Sequence, residues 1–175
     1  PHGLVSEALL LHMKSPAIHG ALNMIYRYGI TEDEAYAQKV YPYLRGVADF
    51  WEKDLVCRDG VYHVVGDGMH ERTDGNIRDN GVPENPVNTL GYLKTFFTWM
   101  PRISEALDLD EKKREKWLEI AENLAPYPKG TIREIQENPT LWKEVDVKLE
   151  DLLPEEMLDK EIYYDEGVGG KWSFH

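Results

Sequence analysis

Five carboxylates crowd the stretch from Gly66 to Pro86: Asp67, Glu71, Asp74, Asp79 and Glu84. Gly, Asn and Pro fill the space between them, and a connection of this length in a compact domain is usually functional or disordered. Glycoside hydrolysis needs such groups in pairs. One carboxyl is protonated to help the leaving oxygen, the other ionised to activate water, and inverting enzymes hold them about 6.5–9.5 Å apart. Glu71 is the first choice for the acid, because the apolar Met69 nearby and a strand exit before it would desolvate the carboxyl and raise its pKa. Arg72 acts in the opposite sense. A Glu71 paired with Arg72 or Arg78 would order the loop and do no chemistry.

Other chemistries fail on spacing. His70-Glu71 begins like a zinc-protease helix, but Asp74 stands where the second His is needed. Asp74-Gly75-Asn76-Ile77-Arg78 misses the calcium-loop pattern, with Arg78 at a ligand position and Asp79 in place of Gly. Gly167-Val168-Gly169-Gly170 has no following Lys-Ser/Thr and no following helix, so it does not cradle phosphate. The single Cys57 excludes an internal disulfide and a Cys-based zinc site, and it has no signature of a catalytic thiol. No cofactor and no metal site is expected.

The chain has 175 residues, 42% hydrophobic and 30% charged, with a net charge of −12. That composition belongs to a globular protein with a core. The acid excess argues against nucleic acid as a partner, since that affinity comes largely from Lys and Arg on phosphates. The longest apolar run, Ala8 to Leu11, is far short of the roughly 20 residues of a membrane span. No targeting segment is evident, so the compartment is unassigned. Pro1-His2-Gly3 and the closing Trp172-Ser173-Phe174-His175 read as cuts through a longer polypeptide.

Helices must position the loop. Ser15-Pro16 predicts a helix to about Tyr28, stopped by Gly29, with Ile18, Leu22, Ile25 and Tyr26 on one face. Thr31 and Glu34 form a capping box for a second helix, reaching about Leu55, with Pro42 inside it. Its apolar face reads Ala35, Val40, Tyr43, Leu44, Val47 and Phe50. Arg58-Asp59-Gly60 is a turn, and Val61–Val65 is β-type, giving a small β-hairpin near 56–66. A third helix follows from about Asn88 to Leu107, with Leu90, Leu93, Phe97 and Met100 inward. A fourth, capped by Asp108 or Asp110, runs from Glu111 to Leu124. A strand at Thr131–Ile135 and a short helix at Pro154–Lys160 complete the reading. Trp51, Phe97, Trp99 and Trp117 fall on helices and belong mainly to the core. Trp99 lies on the outward side of its face, where it would line a groove. Trp142 and Trp172 sit in irregular segments and are candidates for sugar subsites. The fold class is mainly α, built of antiparallel helical hairpins.

The stretch Ala21–Leu55, with Tyr41-Pro42-Tyr43-Leu44-Arg45-Gly46-Val47-Ala48-Asp49-Phe50-Trp51 at its centre, resembles the helical-hairpin signature of (α/α)6-toroid glycoside hydrolases. It is most similar to family 95, the inverting α-L-fucosidases and related α-L-galactosidases. The resemblance covers about three-fifths of the chain, Ala21 to Pro128. It implies an incomplete toroid, a segment of a larger catalytic domain over residues 1–175, with 66–86 as the active-site loop. It places the acid loop at Asp67-Gly68-Met69-His70-Glu71-Arg72 and the helix-opening pattern at Asn85-Pro86-Val87-Asn88. The implied roles are Glu71 as catalytic acid, and His70, Arg72, Asn88 and Trp99 in substrate binding. The implied substrate is an α-linked sugar such as L-fucose. The family's Ser-Pro-Glu-Asn loop is absent, and Asn88 replaces an expected Asp. Those two differences support the alternative of a non-catalytic carbohydrate-binding or scaffold module. Four helices are about a third of a toroid, so partners are expected: the rest of a parent chain, or self-association. The isolated segment is expected to be inactive.

Overall fold

The computed structural model describes residues 13–67, 84–137 and 153–163. Those residues are mainly helical, with two small two-stranded antiparallel sheets. The chain divides into two compact units, one of residues 14–65 and 88–125, the other of the remaining segments.

In the first unit, α1 (Ser15–Thr31) and α2 (Glu34–Asp54) form a hairpin. Helix α1 runs through Gly29 and ends where Glu32 adopts a left-handed conformation and returns its N–H to the Tyr28 carbonyl. A glycine two residues before a helix end does not stop the helix when the following residue can make the turn. Helix α2 is capped by Asp33, whose side chain accepts the N–H of Tyr36. Asp33 thus takes the role that the Thr31–Glu34 spacing suggested for Thr31. Pro42 lies inside α2, and Pro101 inside α3 (Val87–Ala106). Helix α4 spans Glu111–Glu122, with a left-handed Asp110 before it.

The buried stripe of α2 is Ala37, Tyr41, Leu44, Ala48 and Trp51, with Val47 beside it. It is turned about one residue from the expected face, so Ala35, Tyr43 and Phe50 are exposed. Tyr26 is exposed for the same reason, while Ile18, Leu22 and Ile25 are buried. On α3, Leu90, Leu93, Phe97 and Met100 point inward as expected, and Phe96 joins them. Trp51, Phe96, Phe97 and Trp117 are the largest buried side chains, and they fix the centre of the core.

Between α2 and α3 come β1 (Val56–Arg58) and β2 (Val61–His63), paired antiparallel, with Asp59 and Gly60 at positive φ in the turn. Cys57 is exposed on β1. Tyr62 also exchanges backbone hydrogen bonds with Asn123 and Ala125 beyond α4, a parallel bridge that ties the hairpin to the end of that helix.

In the second unit, β3 (Lys129–Thr131) pairs antiparallel with β4 (Glu161–Tyr163), accompanied by α5 (Ile132–Glu137) and α6 (Glu155–Leu158). The expected strand at 131–135 is therefore a strand that ends at Thr131 and a helix that starts at Ile132. Thr131 causes the change: its hydroxyl accepts the N–H of Glu134, and the Glu134 carboxylate accepts the N–H of Thr131. This reciprocal pair is a capping box.

Candidate functional site

The direction of the helices follows from their contacts. Tyr43 donates to the Ala17 carbonyl, and Arg27 lies over the Tyr36 ring, so α1 and α2 are antiparallel. His19 meets Tyr92 at 5.4 Å between ring centroids, and Gly29 meets Trp99 one end further along. Those contacts advance together on both helices, so α1 and α3 are parallel neighbours. Arg45 reaches Asp110, and Glu52 reaches Lys113 and Trp117, so α2 and α4 are parallel neighbours as well. The unit is thus two layers of parallel helices, α1 with α3 and α2 with α4.

The two layers are joined internally by different chemistry. The α2–α4 seam is ionic. Asp110 accepts from the Tyr41 hydroxyl and from Arg45 Nε, both at 3.0 Å. Arg45 also grips Asp49 one turn on. Glu52 accepts from Lys113 Nζ and from Trp117 Nε1, each at 2.7 Å. Burial and the Asp110 carboxylate push the Tyr41 hydroxyl up to about 12. The Arg45 guanidinium holds the Asp49 carboxyl below its ordinary value. Each carboxylate of this seam meets a cation, and Asp110 and Glu52 each take a neutral donor as well, so the seam fastens two helices together.

The α1–α3 seam is aromatic. Asn88, Tyr92, Thr95 and Trp99 follow one another at helical spacing on α3, and all four are half-buried. This stripe carries both described residues expected to bind substrate, Asn88 and Trp99, about three turns apart on one helix. Asn88 sits in the first turn of α3, two residues after the buried Pro86. Trp99 directs the far edge of its indole at Gly29, with Arg102 5.2 Å over the ring. Much of its surface is therefore spent on packing. His19 and Tyr92 are members of this seam that sequence reasoning missed; the four-residue step from Asn88 to Tyr92 was the available signal.

At the ends of the 66–86 stretch, Asp67 is fully buried, and Glu84 is half-buried beside Asn85, which adopts positive φ. His70, Glu71 and Arg72 lie outside the described residues, as do Asp74, Asp79, Trp142 and Trp172. Among the described residues no group of three or more His, Cys, Asp or Glu could hold a metal ion. No described helix is long and apolar enough to cross a membrane.

Comparison of the chain with protein-family models gives no match, and neither curated proteins nor solved structures give one.

Proposed function

We propose that this chain is part of a carbohydrate-active enzyme, a glycoside hydrolase that cleaves an α-linked sugar such as L-fucose by acid/base catalysis. The observation that carries the reading is the pairing of helices in two parallel layers. In an (α/α) toroid each new hairpin lies beside the last, so helices two apart become parallel neighbours, as α1 and α3 are, and α2 and α4. In an up-down four-helix bundle with sequential neighbours, those pairs would sit on the diagonals. The resemblance of the Tyr41–Trp51 helix adds the activity. Its substrate would be an oligosaccharide or glycoside, and completing the ring would require further hairpins from a parent chain or from self-association.

In this reading Glu71 protonates the leaving oxygen. Glu71→Gln keeps the shape and removes the proton, so hydrolysis by the intact enzyme of a glycoside with a poor leaving group should fall about 10²–10⁴-fold. A glycosyl fluoride, whose leaving group needs no protonation, should lose far less. Equal losses on both substrates, or none, would remove Glu71 from the role. If the intact enzyme binds sugar but turns over neither substrate, the non-catalytic module is the correct reading.

A further inference from the structure

The exposed side of α2 carries Lys39, Tyr43, Gly46, Phe50 and Lys53, spaced i, i+4, i+7, i+11 and i+14, and all five are exposed. These positions make one stripe along the helix, about 21 Å from the first lysine to the last at 1.5 Å per residue. Both rings are held in place. The Tyr43 hydroxyl donates to the Ala17 carbonyl at 2.8 Å, and Phe50 packs edge-on against the buried Trp51 at 5.3 Å. Even so, Tyr43 keeps 43% of its surface in solvent and Phe50 45%. Between the two rings, a Cβ at Gly46 would meet nothing within 4 Å, so the backbone there is open to a ligand.

The charge of the stripe runs against that of the chain. A net charge of −12 repels anions in general, yet the described acids near this face are occupied. Asp54 takes both its oxygens to Lys14, and Asp49 is held by Arg45 and Lys113, with Lys53 of the stripe also near it. The adjoining flank of α1 offers Ala17, Gly20, Met24 and Arg27, which adds a cation and no acid.

We propose that this stripe binds a chain of an anionic polysaccharide, one bearing carboxylate or sulfate groups. Sugar rings stack their CH faces on Tyr43 and Phe50, the chain passes over Gly46, and the acidic groups reach Lys39 and Lys53. Size favours this occupant over a protein. Two rings at this exposure present on the order of 150–200 Å², whereas a stable protein partner covers about 800 Å² on each side. The site uses none of the residues assigned to hydrolysis, so it stands apart from the proposed reaction.

Calorimetric titration of the full chain with tetragalacturonate tests the assignment, with cellotetraose as the neutral control and an oligoglutamate of equal charge as the second. The expected result is binding of tetragalacturonate that weakens with added salt, at least tenfold tighter than either control. Tyr43→Ala, Phe50→Ala and the Lys39→Gln/Lys53→Gln pair should each weaken it at least tenfold, with an unchanged far-ultraviolet circular dichroism spectrum. Gly46→Leu leaves every binding group in place and should block the passage between the rings, with a similar loss. Glu71→Gln should bind as the wild type does, which separates this site from the catalytic reading. Absence of binding, equal binding of oligoglutamate or cellotetraose, or binding indifferent to all four changes would overturn the proposal.

Discussion

Replacing Gly29 by Ala should destabilise the protein, although the same change elsewhere in a helix stabilises it. Glycine inside a helix costs about 0.5–1 kcal/mol relative to alanine, because it loses more backbone freedom on folding. At Gly46, where a Cβ meets nothing within 4 Å, Gly46→Ala should recover that amount. At Gly29 a Cβ would stand 2.8 Å from Trp99 Cη2, 3.3 Å from Cζ2 and 3.4 Å from Cζ3. Carbon atoms pack best at about 3.5–4.0 Å, so the indole or the helix must give way by roughly an ångström. The indole is rigid and has the Arg102 guanidinium over its ring, so the adjustment falls on the α1–α3 seam. Overpacking of this kind costs about 1–3 kcal/mol, which exceeds the backbone gain. The two substitutions should therefore differ by about 1–3 kcal/mol in urea-unfolding midpoints at constant slope. For a chain of this length that is about 2–4 °C in Tm for each kcal/mol. Trp99→Leu removes the obstacle, and in that background Gly29→Ala should become neutral or stabilising. If Gly29→Ala raises the midpoint as much as Gly46→Ala does in the wild-type background, the contact between Gly29 and Trp99 is not what sets the spacing of α1 and α3.

The ionic seam gives two further tests. Tyr41 has its pKa raised by burial first and by Asp110 second, so its contribution is complete below about pH 10 and is lost as pH rises towards 12. Tyr41→Phe should flatten the fall in stability over that interval, measured as urea midpoints at successive pH values; an unchanged slope would remove Tyr41 from the titration. Glu52→Leu leaves Trp117 Nε1 without its acceptor and Lys113 with only the longer contact to Asp49, and should cost about 1–3 kcal/mol. Glu52→Gln, which can still accept the indole N–H, should retain part of that, and equal losses in the two variants would show that the indole bond contributes nothing.

Composition and periodicity by themselves determined that the described residues are mainly helical, where the four long helices among them lie to within a few residues, and that a β-hairpin separates the second from the third. Pro16 and the apolar spacing of α3 act locally, so their effects are legible without a fold; Asp110 precedes α4 as expected but makes no side-chain cap, because its carboxylate is taken by Tyr41 and Arg45. Asn88 and Trp99 could be named singly as candidates, but their common stripe with Tyr92 became meaningful only when α1 packed beside α3. The inward face of α2 was decided by tertiary structure. Tyr43 and Phe50 are as apolar as Tyr41 and Trp51, and only the simultaneous fit against α1 and α4 selects which pair is buried. The fate of Gly29 was decided the same way: its sequence position beside Ile30 and Thr31 suggests a stop, while Trp99, seventy residues on, requires a residue without a side chain there. The ionic seam was equally silent in the sequence. Arg45 and Asp110, or Glu52 and Trp117, are separated by about sixty-five residues, and such partners are chosen by the packing of helices that no local pattern encodes.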